Sequence, residues 1–108
     1  GENVYPAEVE RVLLENPKVL EAAVVGVPDP KWGEVGKAFI VVKEGEELTQ
    51  EDVIQWCLDR LAKYKIPKHI EFVEALPKNA AGKIMRHLLK EWSPERRSDL
   101  RSDPRGEG

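Results

Sequence analysis

An α+β domain, with a small sheet of about three main strands flanked by helices, is the fold class this chain predicts. The apolar pattern changes period along the chain in the order helix, two strands, helix, strand, helix. Two runs rich in β-branched residues, Val19 to Val27 and Gly36 to Lys43, follow one another across a break rich in proline and glycine. A stretch with its own helix-start signal then separates the second run from a third, shorter one.

The first helix is predicted from Pro6 to about Glu15. Pro6 suits a first helical turn, where its missing N–H costs little. Val9, Val12 and Leu13 form one apolar face, and Asn16-Pro17 ends the helix. The strand over Val19 to Val27 is nearly continuous in apolar residues from Ala22 to Val25, which implies burial on both faces. Pro28 to Gly33 is predicted as an irregular loop. Its one large side chain, Trp32, either folds back on the core or waits for a partner. The strand over Gly36 to Lys43 has central character, and an acidic turn, Glu44 to Glu47, follows it. Thr49 is an N-cap candidate, with Asp52 three residues on as an approximate capping box. The helix it starts, Gln50 to about Lys63, buries Val53, Ile54, Cys57, Leu58 and Leu61, with Trp56 packing beside them. Pro67 breaks the chain within Tyr64 to Lys68, Ile70 to Val73 forms the third strand, and a last helix is predicted from about Met85 to Trp92.

Composition narrows the function. At 108 residues the chain is one domain or a piece of one. It starts at Gly1 and not at Met, which suits a fragment or a processed product. No apolar run approaches the roughly 18 residues of a membrane helix, so no transmembrane segment is expected, and no signal peptide is visible. The single cysteine, Cys57, excludes an internal disulfide and a cysteine-based zinc site. It reads as buried packing and is compatible with a reducing, cytoplasmic setting. His69 and His87 have no helix-spaced partner, so no metal site is expected. Residues 93–108 contain one aliphatic side chain, Leu100, and are expected to be a disordered polar tail behind a domain at 1–92.

The net charge of −3 is unevenly spread. Residues 1–62 carry six Lys/Arg against thirteen Asp/Glu, whereas residues 63–90 carry seven against two. The second part is therefore the one expected to meet an anion. It is too small and too poor in arginine to argue strongly for duplex nucleic acid, and no nucleic-acid partner is expected, a binder using this basic part standing only as a third, weaker reading. Within it lies Leu76 to Arg86, which reads Leu-Pro-Lys-Asn-Ala-Ala-Gly-Lys-Ile-Met-Arg. Asn79 to Gly82 are small residues that form no core, and an apolar pattern, Ile84, Leu88 and Trp92, begins after Lys83. That places Lys83 near a loop-to-helix junction, where free N–H groups favour anions. Two readings stand on the residues alone: a solvated surface loop, or a lysine that meets a phosphate or carboxylate. Gly82-Lys83 is followed by Ile84, so a P-loop is excluded, and no serine lies in a Gly-x-Ser-x-Gly setting. No self-sufficient active site is present. What remains is a loop lysine, a loop tryptophan and an aromatic-basic cluster at Tyr64 to Lys68.

Three ordered stretches resemble one family. Gly1-Glu2-Asn3-Val4-Tyr5-Pro6-Ala7-Glu8-Val9-Glu10 resembles the segment that opens the small C-terminal domain of adenylate-forming enzymes, the acyl-CoA synthetase group. Val25-Gly26-Val27-Pro28-Asp29 with Trp32-Gly33 resembles the next stretch. Leu76-Pro77-Lys78, then Gly82-Lys83-Ile84 and Arg86, resembles the last one, with Ala80-Ala81 departing mildly from the family's usual residues. The opening segment looks closer to fatty-acyl and aryl-CoA ligases than to peptide-synthetase adenylation domains.

The resemblance implies a C-terminal lid that rotates between two half-reactions. The first makes an acyl-adenylate from a carboxylic acid and ATP, taken as Mg-ATP, and the second passes the acyl group to CoA. It implies that Lys83 is the catalytic lysine of the first, that Gly1 lines the pantetheine tunnel in the second, and that Trp32, Tyr64 and Lys68 lie near the CoA nucleotide. It also implies a large N-terminal domain as the main partner, holding most of the ATP site, so that the chain given is inactive alone. A different class of function stands beside this one: an interaction module, or a target for a protein lysine acyltransferase at Lys83.

Overall fold

The computed structural model describes residues 4–91. Helix α1 spans Pro6–Leu14, β1 Val19–Asp29, β2 Gly33–Val42, α2 Gln50–Leu58, β3 His69–Phe72 and α3 Arg86–Lys90. A single 3-10 turn, Lys63–Lys65, precedes β3. The sheet has three strands in the order β1-β2-β3. β1 and β2 form an antiparallel hairpin that pairs Asp29 with Gly33 at its tip. β3 lies parallel to β2, so the chain must cross over between them, and α2 makes that crossover. The expected α+β class and the central place of the second strand both hold.

Successive side chains of a strand point to opposite faces, and β1 and β2 use both. Ala22, Val24, Ala38 and Ile40 form one buried face, packed under Val9, Val12 and Leu13 of α1 and Val53 and Cys57 of α2. Ala23, Val25, Phe39 and Val41 form the other, packed under Leu76 and Leu89. That is why Ala22 to Val25 reads as an unbroken apolar run. The predicted face of α1 is the buried one. Of the predicted α2 stripe, Val53, Cys57 and Leu61 are buried, Ile54 is half-buried, and Leu58, the last residue of the helix, is 41% exposed, which corrects its expected burial. Trp56 packs on the first core while its indole Nε1–H donates to the Val12 carbonyl at 2.8 Å. The Thr49–Asp52 capping box is complete. Burial pushes the Cys57 thiol up to about 11, as suits a packing residue.

Three further expectations change. The break at Pro28 to Gly33 shrinks to a turn at 30–32, because β1 runs on through Pro28 and Asp29. β1 is an edge strand, the place in a sheet where a missing N–H is tolerated. Helix α2 ends at Leu58, not near Lys63. The N–H groups of Arg60 and Leu61 both bond back to the Cys57 carbonyl, and Leu61 enters the core from that turn. Ile66 is held extended before Pro67, which leaves room only for the short turn ahead of it. Finally, α3 starts at Arg86, and its buried residue is Leu89, whereas Leu88 is 43% exposed. Ile84 belongs instead to an antiparallel bridge with Lys78, which delays the helix and changes its phase. Trp92, Gly1 and the tail at 93–108 lie outside the described residues.

Candidate functional site

The first face of the sheet ends in a cavity of about 380 Å³, floored by Val9 and Val24 and walled by Tyr5, Gly36, Ile66 and Pro67. Trp32, Tyr64 and Lys68 all line it, so the structure brings together three of the residues singled out in the sequence. They come from two segments: the β1–β2 hairpin tip carries Trp32, and the approach to β3 carries Tyr64 and Lys68. The Lys68 backbone N–H donates to the Gly36 carbonyl at 3.0 Å, which ties that approach to β2. Trp32 is 54% exposed and Tyr64 67% exposed. Trp32 therefore does not fold back on the core.

Two ammonium groups and one carboxylate, Glu34, share this lining. Lys65 is committed: its Nζ meets Glu8 Oε1 at 2.8 Å and lies 5.1 Å from the Tyr5 ring centre. The hydrogen bond to Glu8 holds the Lys65 ammonium above its ordinary range. Tyr5 and Tyr64 meet edge to face at 5.8 Å. Lys68 Nζ instead lies 4.6 Å over the Trp32 ring, with Lys31 Nζ 5.2 Å from that ring centre. Among the described residues no carboxylate pairs with Lys68. An exposed aromatic ring with an ammonium that has no carboxylate partner suits a planar ring joined to a phosphate.

Trp32 is held in place by Asp29, which the sequence offers only as part of a family-like stretch, with no role of its own. Asp29 Oδ1 accepts the backbone N–H of Lys31 at 2.8 Å and of Trp32 at 3.0 Å, and Gly33 follows at φ 88°. An aspartate opening a turn that a glycine closes is the legible signal. The Lys31 N–H first, then the Trp32 N–H, hold the Asp29 carboxyl below its ordinary value, and His69 Nε2, 3.5 Å from Oδ2, adds to this. A depressed carboxyl stabilises the turn fully above the ordinary carboxylate value of about 3.9. That hold is lost as pH falls through the depressed value. The Trp32 backbone N–H resonance is expected to make its main movement only under acid conditions, below about pH 5, as the carboxylate that accepts it is lost. A resonance that never moved before the domain unfolded would show that the carboxylate does not hold the turn.

Lys83 lies elsewhere. Leu76, Ile84 and Leu89 seat its loop on the second face of the sheet, so the Lys83 loop and the cavity use opposite faces. Its loop is a hairpin turn closed by the Lys78–Ile84 bridge, with Gly82 at φ 86°. This corrects the expected loop-to-helix junction. α3 begins only at Arg86 and is five residues long, so no helix terminus supports the lysine. Lys83 is exposed and has no ion-pair partner among the described residues. The residues around it are fixed. Lys78 pairs with Glu21 of β1, and Arg86 donates to both oxygens of Glu10 of α1, at 2.5 and 3.1 Å. Glu10 Oε2 also accepts the Val24 N–H at 2.8 Å, and the Glu10 side chain is only 12% exposed. Neither partner of these pairs was legible, since Glu10 and Glu21 lie 76 and 57 residues from the bases they meet. The described residues contain no cluster of metal ligands, and none of their helices is long and apolar enough to cross a membrane.

Residues 8–83 match the family described as the AMP-binding enzyme C-terminal domain. The chain is 53% identical, over 95 residues, to a 2-succinylbenzoate–CoA ligase of Bacillus cereus, covering 88% of this chain and 19% of the relative. Among solved structures it resembles a Mycobacterium tuberculosis fatty acyl CoA synthetase, with a TM-score of 0.76 and 45% identity over 82% of this chain and 17% of that one. It also resembles an o-succinylbenzoate CoA synthetase from Bacillus subtilis bound with a product analogue. There the TM-score is 0.75 and the identity 43%, over 83% of this chain and 18% of that one. The chain thus spans less than a fifth of the length of the curated relatives it matches.

Proposed function

The chain belongs to the AMP-binding enzyme C-terminal domain family, and on that premise we propose that it is the small C-terminal domain of an ATP-dependent, AMP-forming carboxylate–CoA ligase. The longer enzyme activates a carboxylic acid as its acyl-adenylate, releasing pyrophosphate, and then transfers the acyl group to CoA. Most of the ATP site and all of the acyl site belong to the large domain, this domain's main partner. Within this chain, Lys83 serves the first half-reaction, and the cavity holds the nucleotide end of CoA in the second.

The placement of these groups on opposite faces of one sheet carries this reading. A single active centre cannot meet both faces at once, so serving both half-reactions requires the domain to turn between them. The charges fit their tasks. An exposed ammonium without a partner suits the negative charge of a carboxylate and an α-phosphate coming together. Trp32 and Tyr64 offer ring faces to a purine, and Lys68 offers three donors to a phosphate. The exposure of Lys83 also favours a regulatory reading, in which a protein lysine acyltransferase removes its charge.

Steady-state kinetics of the full-length ligase test the cavity assignment. Loss of one base–aromatic stack costs about 1–3 kcal/mol. Trp32→Ala is accordingly expected to raise the KM for CoA about tenfold or more, with the rate of pyrophosphate release in the absence of CoA unchanged. An unchanged KM for CoA would remove the nucleotide from this cavity.

A further inference from the structure

The position of Lys83 depends on one side chain, that of Asn79. Its backbone N–H donates to the Lys83 carbonyl at 2.9 Å, and its carbonyl accepts the Gly82 N–H at 2.9 Å. Its side-chain Oδ1 accepts two further bonds, from the N–H of Ala81 and from the N–H of Lys83 itself, each at 2.9 Å. The N–H and the carbonyl of Lys83 are therefore both held by the same residue. Between them lie only Ala80, Ala81 and Gly82, whose side chains offer no polar group. The hairpin tip at Trp32 has the same plan, with Asp29 bonding to the N–H of the functional residue and glycine at positive φ beside it.

A lysine stem has four rotatable carbons, so where its ammonium can reach is set by where its Cα is held. The Lys83 side chain has no partner of its own among the described residues, and the loop surface around it is open. We propose that Asn79 is the positioning residue for Lys83, its amide oxygen fixing the Lys83 backbone so that the ammonium reaches the reacting carboxylate and phosphate. This rests on the reading of Lys83 as the adenylation lysine. Alanine at 79 keeps both backbone bonds of the turn but frees the N–H of Ala81 and Lys83. Both N–H groups lie in exposed residues and are taken up by water, so the fold survives while the lysine wanders. Serine keeps a short oxygen acceptor for the same turn.

The test uses the full-length ligase and measures the two half-reactions separately. Asn79→Ala is expected to lower kcat for acyl-adenylate formation roughly 10- to 100-fold, the scale of a small misplacement of a reacting group. KM for ATP and the rate of thioester formation from preformed acyl-adenylate are expected to hold, and Asn79→Ser to restore most of the lost rate. Lys83→Ala is run beside them. If Lys83→Ala abolishes adenylation and Asn79→Ala leaves it intact, the positioning role is overturned and the catalytic reading of Lys83 stands. If Lys83→Ala leaves adenylation intact, the reading beneath the proposal fails, and the proposal with it. A loss in Asn79→Ala that strikes both half-reactions equally, or that serine does not repair, overturns the proposal in favour of a general structural role.

Discussion

Replacing Lys83 with alanine in the full-length ligase is expected to slow acyl-adenylate formation by about two to three orders of magnitude, the usual cost of removing one preorganised donor from a developing charge. Thioester formation from preformed acyl-adenylate is expected to keep its rate. The asymmetry follows from the geometry. The loop that carries Lys83 is seated on the sheet face opposite the cavity, and on the proposed reading a pose that presents the cavity withdraws the lysine. Arginine is not expected to rescue the variant, since a planar fork on a different stem does not reproduce a compact ammonium. Rapid-quench measurement of both half-reactions decides the matter. An equal loss in both would contradict the division of labour between the two faces.

Phe39→Ala in the 108-residue chain is expected to lower its unfolding free energy by about 3–5 kcal/mol, the range for truncating a buried aromatic residue. A small domain has about 5–15 kcal/mol in total. Phe39 is fully buried in the central strand and is the one aromatic member of the second core. The Leu76 and Leu89 side chains that seat the Lys83 loop pack in that core. The first core, under α1 and α2, does not include it. Urea unfolding gives the total loss. Amide exchange is expected to show protection falling earlier at Met85, whose N–H donates to the Pro77 carbonyl, and at Leu89 than at Val12 and Val53. A uniform loss would mean that the two faces melt as one unit.

The elements legible in the sequence were those with local causes. Val9, Val12 and Leu13 follow helical spacing, Thr49 and Asp52 cap within four residues, and the run from Ala22 to Val25 signals burial on both faces. The misreadings have non-local causes. Pro28 looks like a strand breaker until β1 is known to be an edge strand. Ile84 and Leu88 look like one helical stripe until Lys78 pairs with Ile84 across a turn. The site divides in the same way. Trp32, Tyr64 and Lys68 could be singled out as unusual residues, but their meeting in one cavity depends on β3 docking beside β2. Asn79 and Asp29 were within reach, since Asx four residues before or three residues before a glycine or its neighbour marks such turns. Glu10 was not, because its role depends on a base 76 residues away.

Glu10 has a consequence for the sheet beyond its pairing with Arg86. An edge strand leaves a row of N–H and C=O groups open to any passing strand, which is how domains of this size polymerise. On β1 that row is interrupted at three places. The register slips between Val19 and Glu21, the Glu10 carboxylate occupies the N–H of Val24, and Pro28 has no N–H to offer. No uninterrupted length of edge remains between them for another chain to zip onto. The carboxylate that braces the lysine loop therefore also closes part of the β1 edge to an added strand.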